Sequence, residues 1–378
     1  MSALLEQLSH QGRLDAGRLE GFFQEHEFPL VEGQQVTFVY QGQAEAVNVR
    51  HWIHGLPSSQ ALRRWPGSHL WTLTMEIPEG SRVEYKLEIV QHGQRRWIQD
   101  PLNEKLAADP FGANSVVYGE GYQTPDWVQP QEDARQGKLV DHHLDSKIFH
   151  DRREFQIYLP ARFRRTRRYP LVIVHDGHDY LKYANLKIVL DNLIHRLEIP
   201  PLIAAVTSSA ARMREYAGIA EHGNYLVEEL LPFVEDHYPL LQEPSDRCLM
   251  GASFGAIASL ATAWRHPGVF GKLLLQSGSF AFTDIGEHDA GPAFDPVVEF
   301  MNSFRREPGK PADKMFMSCG TYEGLIYYNR SMAPFFQRTG MEVRFTEARD
   351  GHNWENWRDR LQEGLSWLFP GPLWMIYE

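Results

Sequence analysis

The stretch Arg247-Cys-Leu-Met-Gly-Ala-Ser-Phe-Gly-Ala256 constrains this chain most. A short apolar run leads into Gly-x-Ser-x-Gly with Ser253 at its centre, and Ile257-Ala-Ser-Leu-Ala-Thr-Ala-Trp264 follows as a good helix sequence. A serine on a sharp strand-to-helix turn exposes its hydroxyl, and small residues at 251 and 255 let the backbone make that turn. The following helix aims its first amides toward the serine. Strand, turn and helix together are the context this motif needs, so Ser253 is the candidate nucleophile.

The rest of the chain divides by pattern. With 378 residues it has room for two domains. Val36–Tyr40, Ala46–Trp52, Leu70–Ile77 and Arg82–Ile89 alternate apolar with polar residues, and turns such as Pro78-Glu-Gly80 separate them. Short regular strands of this kind predict a smaller all-β sandwich over residues 1–120, with a short helix at its start. A polar stretch containing Thr124-Pro-Asp-Trp-Val-Gln-Pro130 reads as a linker over 121–138. Beyond it, over 139–378, strand and helix alternate. Leu171–Val174 and Leu202–Val206 are continuous apolar runs, as strands buried on both faces require, and helices are expected at Leu186–Leu197 and Gly223–His237. This predicts an α/β domain with a mostly parallel sheet flanked by helices.

A net charge of −11 argues against non-specific nucleic-acid binding. The one basic cluster, Arg162-Phe-Arg-Arg-Thr-Arg-Arg168, reads best as a solvated loop, with an anionic partner as the alternative. No apolar run approaches the ~20 residues that span a bilayer, and no basic-then-apolar leader is present, so the expected location is cytoplasmic. The two cysteines, Cys248 and Cys319, fit that compartment as small core residues rather than a disulfide or metal pair.

A serine hydrolase needs a base, a group that orients the base, and donors for the oxyanion. Three histidines follow Ser253 as possible bases. His266 ends the helix leaving the nucleophile, His288 sits in a polar loop, and His352 lies in Asp350-Gly-His-Asn-Trp354 after an alternating strand. His352 has the right placement. For the orienting acid, Glu323 in Cys319-Gly-Thr-Tyr-Glu-Gly324 falls at the carboxyl end of an apolar run, where open α/β sheets build their sites. Asp350 is the rival, but it is two residues from His352 and reads as a loop residue. The backbone N–H of Phe254 is the first oxyanion donor, and that of His178, in His175-Asp-Gly-His-Asp179, the second. The rest of the second half offers those histidines and aspartates no further ligand at motif spacing, and Gly177 favours a tight loop with exposed amides, so no metal and no cofactor is expected.

At these separations, His-Asp-Gly after a strand, Gly-Ala-Ser-Phe-Gly, Cys-Gly-Thr-Tyr-Glu and Asp-Gly-His-Asn-Trp resemble the esterase D group of α/β-hydrolases, which includes feruloyl esterases, mycolyltransferases and enterochelin esterases. Arg212-Met-Arg-Glu-Tyr216, Leu226–Val234 and His237-Tyr-Pro239 extend the resemblance over roughly residues 140–370. It implies Ser253 as nucleophile, His352 as base and an acid at or near Glu323. Some siderophore esterases work with a weak or absent acid, so a Ser–His dyad stays open. The first third resembles the sandwich that precedes the hydrolase domain in enterochelin (ferric enterobactin) esterases. Its Asp100-Pro-Leu-Asn103 and Asp109–Ser115 are also similar to glycogen-binding modules. The combination implies a cytoplasmic serine esterase for an imported ferric catecholate siderophore. The alternatives are a feruloyl or acetyl sugar esterase with a glycan-binding module, and a non-catalytic binding protein on an esterase scaffold. Trp65, Trp71 and Trp97 are read as core rather than as a sugar platform. Arg212 and Arg214 either meet an anionic substrate or stay solvated.

Overall fold

The computed structural model describes residues 3–5, 16–283 and 291–372. His288 and most of the expected N-terminal helix lie outside them. The chain forms two compact units. The first takes Met1–Thr124 together with two short later segments, Gly320–Gly324 and Ala348–Asn353; the second takes Pro125–Cys319, Leu325–Glu347 and Trp354–Glu378.

Among the described residues, ten strands build the first unit: β1 (Leu30–Glu32), β2 (Gln35–Gln41), β3 (Ala46–His51), β4 (Ser59–Ala61), β5 (Arg63–Arg64), β6 (Leu70–Glu76), β7 (Arg82–Gln91), β8 (Gln94–Ile98), β9 (Leu106–Asp109) and β10 (Gly112–Tyr118). They form two sheets, ordered β1-β2-β6-β5 and β4-β3-β7-β10-β9, with β8 paired to β7. Period-two alternation decides what is inside. In β3, Val47, Val49 and His51 are buried while Ala46, Asn48 and Arg50 are only partly covered. Val36, Phe38, Val49, Tyr85 and Leu87 form the core between the sheets, and Trp71 joins them at 6% exposure. Trp65 is partly buried. Trp97 departs from the expectation: it is 46% exposed on β8, its indole N–H donated to Glu88. Asp100 and Asn103 build a buried corner. Asp100 accepts the Tyr85 hydroxyl at 2.6 Å, and the Asn103 amide donates to the Val116 carbonyl at 2.9 Å.

The second unit is built on an eight-stranded sheet: β11 (Lys138–Ser146), β12 (Asp151–Leu159), β13 (Leu171–Val174), β14 (Ile203–Thr207), β15 (Arg247–Ala252), β16 (Lys272–Gln276), β17 (Lys314–Gly320) and β18 (Glu342–Ala348). Their order is β11-β12-β14-β13-β15-β16-β17-β18. Strands β14, β13, β15, β16 and β17 pair in parallel, whereas β12 is antiparallel to both β11 and β14. Every residue of β13 and β14 is buried, because the connecting helices cover both faces. One apolar cluster gathers helices such as Phe254–Arg265 on one face, and another gathers Leu186–His195 and Leu361–Leu368 on the other.

Two expected elements need correction. The stretch read as a linker is anchored at its middle: Trp127 and Val128 are buried, and the Asn192 amide donates to the carbonyls of Trp127 and Gln129, both at 2.8 Å. The indole's apolar area decides this against its polar neighbours. The helix expected at Gly223–His237 starts earlier, at Ala220, and widens by one residue per turn over Tyr225–Leu230. Pro232 has no N–H to continue the ordinary hydrogen-bond ladder. In the basic cluster, Arg165 and Arg168 donate to the backbone carbonyls of His237 and Leu240 rather than standing free.

Candidate active site

Ser253 sits between β15 and the helix Phe254–Arg265 at φ 57°, ψ −119°, a conformation a β-carbon disfavours. The surroundings fix it. Its N–H donates to the Gln276 carbonyl at 2.9 Å, and its carbonyl accepts from Ala256 at 3.2 Å. A β-carbon at Gly251 would lie 2.5 Å from the Gly255 carbonyl group, and one at Gly255 would lie 3.1 Å from His175 Cβ. The close approach therefore requires glycine at 251, and leaves only tight room for a side chain at 255. Ser253 is partly exposed, with Oγ 3.2 Å from Ser279 Oγ. Ser279, in the Gln276–Ser279 turn after β16, escaped the sequence reading, and only a run of small residues there could have marked it.

The Phe254 N–H opens a helix, so no carbonyl four residues earlier in that helix can take it. His178 is in the same position. Helix Gly177–Tyr183 begins after Asp176, which adopts the left-handed region at φ 52°, ψ 35°. Gly177 is required there, since a β-carbon would lie 2.3 Å from Val206 Cγ1. The Phe254 and His178 amides each lie at a helix start.

The four polar residues of His175–Asp179 diverge. The Asp176 carboxylate takes the Arg212 Nε at 2.7 Å and its Nη2 at 2.7 Å. Arg212 is thereby engaged with a buried carboxylate, while Arg214 is exposed. The His175 imidazole points inward and is fully buried. Its Nδ1–H donates to the Met250 carbonyl at 3.1 Å, so Nε2 accepts from the His222 Nε2–H at 2.9 Å. Burial drives the pKa of His175 down to about 4 and that of His222 well below its ordinary value. Both rings are neutral, and sequence reasoning found neither role. Among the described residues, no group of three or more His, Cys, Asp or Glu side chains is arranged to hold a metal ion.

His352 and Glu323 meet within the first unit. The His352 Nδ1–H donates to Glu323 Oε2 at 2.5 Å. Glu323 is 4% exposed, and its other oxygen accepts the Gly320 N–H at 2.7 Å. The imidazole side chain is 37% exposed. A carboxylate on Nδ1 leaves Nε2 as the proton acceptor, the tautomer a general base requires. His266 instead bonds Asn224 at 3.1 Å. Asp350 lies in the loop before His352. It is buried and faces the Arg82 guanidinium at 3.2 Å, while accepting the Gly351 N–H at 2.7 Å. Burial outweighs Arg82 and raises its pKa to about 6.

The Iron(III) enterobactin esterase of Dickeya dadantii is 25% identical over 357 residues, covering 84% of this chain and 81% of the relative. The enterobactin esterase from Shigella flexneri, solved in the presence of enterobactin, superposes with TM-score 0.74 at 21% identity, over 92% of this chain and 97% of that one. A ferulic acid esterase from Anaeromyces mucronatus, in complex with ferulic acid, gives TM-score 0.53 at 18% identity over 64% of this chain and 94% of that one. These likenesses establish an α/β esterase fold preceded by a mostly β portion. The model of the Esterase family matches residues 146–368, a span that contains the Ser253 turn, Glu323 and His352. More than half of the chain lies in that match, and the protein belongs to the Esterase family.

Proposed function

We propose that the protein is a serine esterase that opens the ester bonds of a ferric siderophore of the enterobactin type, taken up and processed in the cytoplasm. The observation that carries the chemistry is the Glu323–His352 hydrogen bond, because it leaves an imidazole Nε2 ready to take a proton. In this reading, His352 deprotonates the Ser253 hydroxyl as it attacks the ester carbonyl. The amides of Phe254 and His178 hold the oxyanion. The alcohol leaves with the proton from His352, giving an acyl-enzyme. Water, deprotonated by the same imidazole, then releases the acid.

The substrate reading is supported by extent. Likeness to proteins named enterobactin esterases runs over 84% of the chain in sequence and 92% in structure, so it includes residues before the family match. Likeness to the ferulic acid esterase covers 64%. Cys248 and Cys319 are both buried, which suits a reducing compartment, and among the described residues no helix is long and apolar enough to cross a membrane. Turnover of ferric enterobactin, measured beside methyl ferulate and acetylated sugars, tests this. Preference for the ferric siderophore by kcat/KM is expected. Hydrolysis of the ferulate or sugar esters without siderophore cleavage would replace it with the carbohydrate-ester reading, and no labelling of Ser253 by a fluorophosphonate would remove the enzyme reading altogether.

A further inference from the structure

Arg82, at the start of β7, is fully buried in the first unit, and nothing in the esterase chemistry uses it. A buried guanidinium is costly unless every N–H finds a partner. Here Nη1 donates to Asp350 Oδ1 at 3.2 Å and to Asn353 Oδ1 at 3.0 Å, and Nη2 donates to Glu84 at 3.0 Å. Asp350 and Asn353 bracket His352. The backbone repeats the connection: the Arg82 N–H donates to the Arg349 carbonyl at 2.9 Å, and the Arg349 guanidinium donates to the Glu79 carbonyl at 2.6 Å.

The acid loop is tied down in the same way. The Tyr322 hydroxyl lies 2.6 Å from Ser81 Oγ, and the Tyr322 carbonyl accepts the His54 N–H at 2.7 Å. Its N–H donates to the Asp350 carbonyl at 3.0 Å, which joins the acid loop to the base loop. Every one of these residues belongs to the first unit.

We propose that Arg82 is a positioning residue: its guanidinium fixes the Asp350–Asn353 loop and so sets the orientation of the His352 imidazole on Glu323. The proposal rests on the reading of His352 as the base. It assigns a catalytic consequence to a sandwich residue outside the family match. A loop released by about 1 Å can cost on the order of a hundredfold in rate, because proton transfer depends on alignment.

The test uses the full chain and a p-nitrophenyl ester. Arg82→Gln should lower kcat by roughly ten- to a hundredfold, with KM within about twofold. That variant leaves Asp350 without its cation and can fail to fold. The double variant Arg82→Gln/Asp350→Asn removes both charges and keeps an amide pair. It should regain the parent melting temperature while kcat stays low. The low-field proton resonance of His352 Nδ1–H, assigned by its loss in Glu323→Gln, should move or broaden in the same variants. A folded Arg82 variant, single or double, with kcat within twofold of the parent and an unmoved resonance overturns the proposal. His352→Ala separates the two readings. If it keeps its activity, the base assignment has failed; if it is inactive while the Arg82 variants are not, only the positioning role has.

Discussion

At the residue scale, the chemistry reduces to which atom holds which proton. Ser253→Ala should abolish hydrolysis of a p-nitrophenyl ester, by several orders of magnitude in kcat, with the fold intact. His352→Ala should be about as damaging, and the double variant no worse than either, since residues acting as one unit are not additive. Losses that multiply would mean the two do not work together. The rate should fall on acidification, because only a neutral imidazole can accept a proton. Glu323→Gln keeps the shape of the side chain but removes the charge that stabilises the imidazolium. A fall of roughly two orders of magnitude in kcat with little change in KM is expected. Asp350→Asn should cost less, because the Asp350 carboxylate faces Arg82 and the amide that replaces it can still accept a hydrogen bond. The reverse ranking would move the acid to Asp350. Near-neutral outcomes for both would indicate a Ser–His dyad.

At the element scale, the nucleophile turn is a problem of space. The strand β15 and the helix after it press so closely that a β-carbon at Gly251 would sit 2.5 Å from the Gly255 carbonyl. The strain in the Ser253 backbone, of order 1–3 kcal/mol, is held by that packing and by the Gln276 hydrogen bond. Gly251→Ala should therefore destabilise the protein by about 2 kcal/mol or more and depress activity beyond what unfolding explains. Thermal melting and the rate of fluorophosphonate labelling at low temperature separate the two effects. A variant that melts and labels like the parent would show that the turn relaxes without cost. Gly177 has the same character beside Val206, which is why a helix can start there with its amides uncovered.

At the scale of the whole molecule, the buried pair His175–His222 makes stability depend on acidity. The folded pKa of His175 is lowered to about 4, so between that value and the usual imidazole range the unfolded chain binds a proton that the folded chain refuses. Stability is therefore complete above about pH 6.5 and falls on acidification toward pH 4, by about 3 kcal/mol for His175, with His222 adding in the same direction. Urea melts at pH 7 and pH 4.5 should show the loss, and His222→Asn should reduce the part due to that ring. A protein equally stable at both values would mean that the pair takes up a proton while folded. Neither ring has to titrate for hydrolysis, so activity lost at mildly acidic pH should return on neutralisation.

Much of this was legible in the chain because it is local. The Ser253 turn is written in five consecutive residues, and the strands of both units follow from alternation in one and continuous apolar runs in the other. The candidate nucleophile and the fold class follow from these short-range patterns. Composition misled at single side chains: Trp127 is buried within a polar stretch, and Trp97, expected in the core, is 46% exposed. What the tertiary structure alone decided is which distant groups meet. His175 and His222 are 47 residues apart, and Arg82 and Asp350 are 268 apart, whereas the pairing of Glu323 with His352, 29 apart, already follows from what the chemistry requires. Periodicity carries the direction a side chain takes from its own element. It carries nothing of the partner, whose position is set by strand order, by register and by the packing of loops that the chain reaches only after folding.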